Sequence, residues 1–219
     1  AIVLWRMLDV VQYGARYSAI GGWVAPLGIV FVADGLAALM LLMTSGVGVI
    51  VAIQAASWGV LPSSCASKDA ESLRAGFWPL WLSTLGAMNA LFLSGDLFNI
   101  YVAFEILGLT AVGLTALSGT RSALRAAFDY LSAGLVGSLL LLLGVALAYG
   151  AIGRMDLAAV PMLAETVAGR IALAVIVAGL AVKAALFPLH FWMPAAHSSA
   201  TPVASALLSA LVVKGALYV

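Results

Sequence analysis

Charge is what this chain lacks most. Of its 219 residues only 9% are Asp, Glu, Lys or Arg, ten basic against nine acidic. A soluble domain carries about 25%. The shortage excludes an ordinary water-soluble fold, and a formal net charge of +1 gives no footing for nucleic acid or acidic partners. Cysteine is almost absent too. Cys65 stands alone, so no internal disulfide forms and no cysteine cluster ligates a metal. Neither GxxxxGK[ST] nor GxGxxG occurs among the glycines, so no phosphate loop is present. There is no H-E-x-x-H pair and no nucleophile beside a base, which leaves covalent catalysis without a carrier and no cofactor expected. What remains is apolar: 64% of residues are hydrophobic and the mean hydropathy is +1.16. That is the composition of an all-α polytopic membrane protein.

A helix needs about 20 apolar residues to cross a bilayer. Six runs qualify: one within 27–58, then 77–94, 98–117, 130–150, 171–187 with a broken continuation, and 201–219. About six transmembrane helices, one of them discontinuous, are therefore expected. Residues 1–23 are expected to form an extramembrane extended segment, with a turn at Gly21-Gly22, and 24–219 the transmembrane domain. Residues 61–76 read as an aqueous loop. The link Ser94-Gly95-Asp96-Leu97 is short enough to make its two flanking spans a tight antiparallel pair. No cleavable signal peptide is visible. Val219 stops inside an apolar run, so the chain is expected to be a fragment truncated at its C-terminal end. Lysine and arginine are tied between the two sides, and orientation does not follow from them.

Four charged residues fall inside the runs: Asp34, Glu105, Lys183 and Lys214. Asp34 sits near the front of a run longer than one span, close to an interface. The other three reach the middle third of the membrane. Glu105 is roughly 10 Å into its run, and Lys183 and Lys214 roughly 20 Å into theirs, at helical rise. A charge at that depth costs on the order of 2.5–3.5 kcal/mol on insertion scales and marks a functional site by default. Snorkelling of the long lysine stems, or a purely structural Glu–Lys pair, is the competing reading. In low dielectric such a pair is poised, because each charge stabilises the other while desolvation opposes both. Separating the glutamate would leave an unpaired ammonium ready to release its proton.

Around Lys183 the sequence KAALFPLHFWMPAAHSSATP (183–202) carries three prolines. Pro188 has no N–H, so the carbonyl of Ala184 is expected to lose its helical partner, and Pro188 marks a helix break. A break inside a membrane is tolerated where it is buried in protein or lines a wet cavity. A simple proline kink or helix end is the alternative. His190 and His197 flank the break and suit a proton relay, or sit at an interface. Two histidines without a carboxylate are a weak metal signal, and no metal site is expected. Asp96 reads as a turn or cap residue.

Three stretches carry a resemblance. GDLFNIYVAFEI (95–106), KAALFPLHFWMPAAHSSATPVASALLSALVVKGALY (183–218) and GGWVAPLGIVFVADGLAALML (21–41) resemble the antiporter-like membrane subunits. Within that family they are most similar to D-type subunits of Mrp sodium/proton antiporters. The family also includes the proton-pumping subunits of respiratory complex I and of membrane-bound hydrogenases. The resemblance implies a fold of about fourteen helices with inverted five-helix repeats, of which this chain would hold the third to eighth. It implies that Glu105 is the ion-path glutamate, Lys183 its paired lysine and Lys214 the lysine that continues the path. It places the loops with Lys68 and Arg121 in the cytoplasm. Departures stand at Ala195, where the family usually has an acidic residue, and at Asp129, where many members carry lysine. Leu208, where other subunit types carry histidine, agrees with the D type.

The expected function is thus an ion-translocating subunit of a multisubunit monovalent cation/proton antiporter in a bacterial inner membrane, a secondary transporter rather than an enzyme. Its expected partners are other membrane subunits, the lipid bilayer, protons, and Na+ or K+. A proton-pumping subunit of a complex I-like NADH:quinone oxidoreductase or membrane-bound hydrogenase is the alternative. A non-conducting structural membrane subunit is the second.

Overall fold

The computed structural model of the chain describes residues 10, 12–20, 28–58 and 67–219. A two-stranded antiparallel hairpin comes first: β1 (Arg16–Ile20) pairs with β2 (Ile29–Ala33), with Arg16 opposite Ala33 and Ile20 opposite Ile29. Helices follow: α1 (Gly35–Trp58), α2 (Ser67–Leu93), α3 (Leu97–Ala116) and α4 (Arg121–Ile152). After a one-turn helix at Val160–Leu163 come α5 (Val167–Lys183), α6 (Met193–Ser199) and α7 (Pro202–Tyr218). Within α7, Leu208–Val212 forms a π turn. The helices α1, α3 and α4 are each long and apolar enough to cross a membrane.

Several boundaries differ from the hydropathy reading. The run beginning at residue 27 does not enter a helix at once. Ile29, Val30 and Val32 are β-branched, fit a pleated strand and pair with β1. The helix begins only at Gly35, where the Asp34 carboxylate accepts a hydrogen bond from the Ala37 N–H at 2.7 Å. Residues 67–76, expected as loop, are helical, because α2 starts at Ser67. Lys, Glu and Arg are good helix formers, so a helix can extend beyond the apolar span. Likewise α4 begins at Arg121, capped by Thr120, well before the apolar run at 130. Residues 1–9, the Gly21-Gly22 turn and residues 59–66 lie outside the described residues.

The faces of the helices are inverted relative to a soluble bundle. On α4 the buried positions are mostly small: Ala123, Ala127, Ala133, Gly137, Ser138, Gly144 and Ala148. The exposed ones are large and apolar, among them Phe128, Leu135, Leu139, Leu143 and Leu147. Lipid tails accept those side chains, while small residues inside let backbones approach. The seam between α4 and α5 is the extreme case. A methyl on Gly179 would meet the Gly137 carbonyl oxygen and the Leu141 nitrogen at 2.8 Å, and one on Gly144 would meet the Ile176 nitrogen at 2.8 Å. The two backbones are in direct contact.

At one end of the bundle the 94–97 turn is clamped between two segments. The Gly95 N–H donates to the Val30 carbonyl at 2.9 Å, and Phe31 and Ser94 form a bridge. On the other side the Leu97 N–H donates to the Met155 carbonyl at 2.8 Å and the Leu157 N–H to the Gly95 carbonyl at 3.0 Å. The turn thus serves as a central strand between the hairpin and the chain leaving α4. Gly95 is required there, since a Cβ would lie 2.7 Å from Val32 and 2.8 Å from the Val30 carbonyl.

Gly179→Ala should force α4 and α5 apart and destabilise the protein by about 1–3 kcal/mol, the usual cost of overpacking. Gly86→Ala, with nothing within 4 Å of the added methyl, should not. Thermal melting of the detergent-solubilised protein checks both. An unchanged midpoint for Gly179→Ala would refute the seam.

Candidate functional site

The site is built from α3, α4 and α5. Asp96 starts α3 by accepting from the Asn99 N–H at 2.7 Å, and the clamp fixes that start. Glu105 then projects from α3 nine residues on, about 13 Å along the axis. Lys183 is the last residue of α5, and the α4–α5 seam brings it against Ser138.

The Lys183 ammonium donates a hydrogen bond to Ser138 Oγ at 2.7 Å. It lies 3.5 Å from Glu105 Oε1 and 5.4 Å from the centroid of the Phe104 ring, within cation–π reach. The lysine side chain is 9% exposed and the glutamate 28%. The ion pair is close but not aligned as a hydrogen bond, and Glu105 Oε1 is a buried acceptor without a hydrogen-bond partner. At an effective dielectric of 20, opposite charges at that distance attract by about 5 kcal/mol. Desolvation costs several kcal/mol per ion. Desolvation of the two ions therefore opposes the attraction with a cost of at least the same order, and the pair is not a strong net source of stability.

Two small cavities, each of about 30 Å³, flank the lysine. One reaches Glu105 and Ser138; the other reaches Val182, Trp192 and Val212. Each has the volume of about one water, and the first offers the several polar partners a water needs. Gly108 and Gly134 line both, and neither would meet another atom within 4 Å if it carried a methyl. Tyr130 also lines both and stacks on Trp192, centroids 4.3 Å apart and planes 10° from parallel.

The helix stops at Lys183, upstream of Pro188, and the stop has its own mechanism. Ala185 adopts a left-handed conformation with φ of 51°. Its N–H donates to the Val182 carbonyl at 3.1 Å and that of Leu186 to the Ala181 carbonyl at 3.0 Å. This is a Schellman closure, usually made by glycine. The Trp192 indole N–H donates to the Val182 carbonyl as well, at 3.3 Å. Residues 184–192 then run as successive turns before α6. The expectation that Pro188 strips a partner from the carbonyl of Ala184 is thus overtaken, since the helical register has already ended.

Among the described residues, Glu105 and Lys183 are brought together and the other sequence candidates are not hydrogen-bonded or ion-paired to them. Lys214 is exposed, its ammonium bonded to the Ser209 carbonyl in the π turn. His190 packs beside Phe187, and its Nδ1 is buried without a partner. His197 Nδ1 lies 3.3 Å from Ser205 Oγ. Ser138, Tyr130 and Trp192 do not stand out in the sequence. The signal for Ser138 is weak: a lone hydroxyl in the apolar run GLVGSLLLLL (134–143). Outside the membrane-spanning helices, Arg154 binds Asp156 through two hydrogen bonds at 2.9 and 2.7 Å and holds its carboxyl below the usual carboxylate range. Asp156 is therefore ionised, and its bonds to Arg154 intact, at neutral pH.

The profile of the NADH:quinone oxidoreductase/Mrp antiporter transmembrane family matches residues 94–219. The chain is 30% identical over 221 residues to the D-type subunit of the Na(+)/H(+) antiporter of Alkalihalophilus pseudofirmus, covering 99% of this chain and 43% of that protein. It is 34% identical over 205 residues to the N-type subunit of the NADH-quinone oxidoreductase of Desulforudis audaxviator, covering 91% of this chain and 39% of that one. Its fold superposes on a chain of the Mrp complex from Dietzia sp. with a TM-score of 0.83 at 29% identity, covering 99% of this chain and 40% of that one. The chain spans about two fifths of the length of these relatives.

Ala185→Gly should be neutral or stabilising by about 1 kcal/mol, because glycine adopts positive φ without steric cost. Ala185→Val should destabilise clearly. Melting temperatures of the two variants check this, and a destabilised glycine variant would refute the left-handed closure.

Proposed function

The chain belongs to the NADH:quinone oxidoreductase/Mrp antiporter transmembrane family, and on that premise we propose that it forms an ion-translocating part of a multisubunit monovalent cation/proton antiporter in a bacterial inner membrane. Glu105 and Lys183 carry the proton. The observation that carries this reading is the Lys183 ammonium, nearly out of solvent and 3.5 Å from Glu105 across two helices. When the two are drawn apart, the unpaired ammonium in low dielectric gives up its proton; when they close, it is held. Doubling the separation lowers the attraction from about 5 to about 2.5 kcal/mol. A membrane potential of 100 mV supplies about 2.3 kcal/mol per charge. That figure is for a charge crossing the whole potential, so the proton's full passage, and not the short displacement of the lysine, carries the energy that opens the pair.

In this reading α5 and α6 are the two halves of a discontinuous crossing, interrupted by the turns that contain Pro188. With α1 to α4 and α7 they make six crossings. Lys214 is the next station of the path, and His190 and His197 are relay groups beside the break. The π turn before Lys214 fits such a role, since π turns recur at functional sites. Partner membrane subunits complete the antiporter. The similarity to an N-type subunit of an NADH-quinone oxidoreductase supports a second reading, in which the same pair works in a redox-driven pump. Co-purification with iron–sulfur or flavin subunits favours that pump, and with small antiporter subunits the first reading.

Glu105→Gln and Lys183→Ala, each made in the full-length protein, should abolish cation/proton antiport in everted membrane vesicles while the complex still assembles. Wild-type transport in both variants would sink the proposal.

A further inference from the structure

The Lys183 ammonium has two acceptors within reach, and its hydrogen bond goes to the neutral one. Ser138 Oγ is 2.7 Å away, whereas the Glu105 carboxylate is at 3.5 Å with its Oε1 left without a hydrogen bond. Charge-assisted N–H···O bonds to a carboxylate are the stronger kind and close to about 2.7–2.9 Å when geometry allows. Something therefore holds the ammonium short of its best partner. Ser138 is the group in place to do so. It is 5% exposed and sits beside Gly137 in the α4–α5 seam, where backbone contact fixes its distance from Lys183.

We propose that Ser138 is a positioning residue that gives Lys183 a second seat and keeps the Glu105–Lys183 pair half open. The hydroxyl accepts from the ammonium and competes with the carboxylate for it. The lysine thus rests between a seat on Glu105 and a seat on Ser138, rather than locked in a closed ion pair. The cavities on either side leave it room to move between them. Their titratable groups are Glu105 from α3, Tyr130 from α4 and Lys183 itself from α5; α6 and α7 contribute Trp192 and Val212. No other carboxylate among the cavity linings offers the ammonium an alternative partner.

This inference rests on the proposed role of the Glu105–Lys183 pair, and its test separates the two. Ser138→Ala removes the second seat with little change in volume. The ammonium loses the bond to the hydroxyl but closes on Glu105, and because a bond between two charged groups is the stronger kind its proton is held more tightly, so lysine deprotonation needs a higher pH. In everted vesicles containing the assembled complex, the antiport-versus-pH profile of Ser138→Ala should move upward by roughly one pH unit. Ser138→Thr, which keeps the hydroxyl, should restore the wild-type profile. Ser138→Cys, a weak acceptor of near-equal volume, should fall between and serves if the alanine variant assembles poorly. A profile that stays on the wild type or moves to lower pH in Ser138→Ala overturns the inference, as does failure of threonine to rescue. If Glu105→Gln and Lys183→Ala are inactive but the Ser138→Ala and Ser138→Cys profiles are unshifted, only the second seat is refuted.

Discussion

An ammonium kept out of water, with a hydroxyl on one side and a carboxylate on the other, sets the terms that the surrounding helices must meet. Ser138 has a short side chain, so it reaches Lys183 only if α4 and α5 run almost in backbone contact. That requires Gly137, Gly144 and Gly179 at the crossing, because any Cβ there meets backbone atoms. In a bilayer such proximity is not driven by hydrophobic exclusion, since lipid is as apolar as leucine. Packing and the single polar contact must supply it. The small residues of α4 therefore matter through the distance they set between two charged or polar groups, as well as through packing density.

The second constraint is that α5 ends beside the charged pair, where free carbonyl groups are costly. The chain meets it locally. The carbonyls of Leu180, Ala181 and Val182 accept from the N–H groups of Ala184, Leu186 and Ala185, and Val182 also accepts from the Trp192 indole. Trp192 in turn stacks on Tyr130 of α4, which ties the far side of the break to the helix that carries Ser138. Satisfying the helix end and walling the cavities are done by the same few side chains.

Glu105 and Lys183 were legible in the sequence because charge inside an apolar run is rare and costly. Their opposite signs allowed a pair, the family resemblance named them as one, and the structure places them 3.5 Å apart. Ser138 was not legible. Hydroxyl residues are ordinary in membrane helices, and its partner lies 45 positions away. The stop of α5 was half legible: prolines drew attention to the segment, but the closure is made by an alanine in a left-handed conformation, which no propensity announces. Hydropathy gave the apolar cores of α3 and α4 but not the polar starts of α2 and α4, because it reports what lipid will accept and not where helical hydrogen bonding begins. It bracketed the first span within 27–58 without separating β2 from α1, since a run of apolar β-branched residues suits either and pairing with β1 decided it.

The two charges are anchored unequally, and this has a mechanical consequence. Glu105 rides on α3, whose start is held from both sides by backbone hydrogen bonds to Val30, Met155 and Leu157, with the Arg154–Asp156 pair beside them. Lys183 stands at the open end of α5, followed by nine residues of turns before the next helix. The α4–α5 seam restrains the body of α5, yet its last turn is followed by chain rather than by helix. Any motion that opens or closes the pair therefore costs least if the lysine moves and the glutamate stays. A moving lysine needs a partner at each end of its travel, or it would be stranded as a bare charge in low dielectric. In the proposed travel those partners are the Glu105 carboxylate at one end and the Ser138 hydroxyl at the other, with the face of Phe104 alongside.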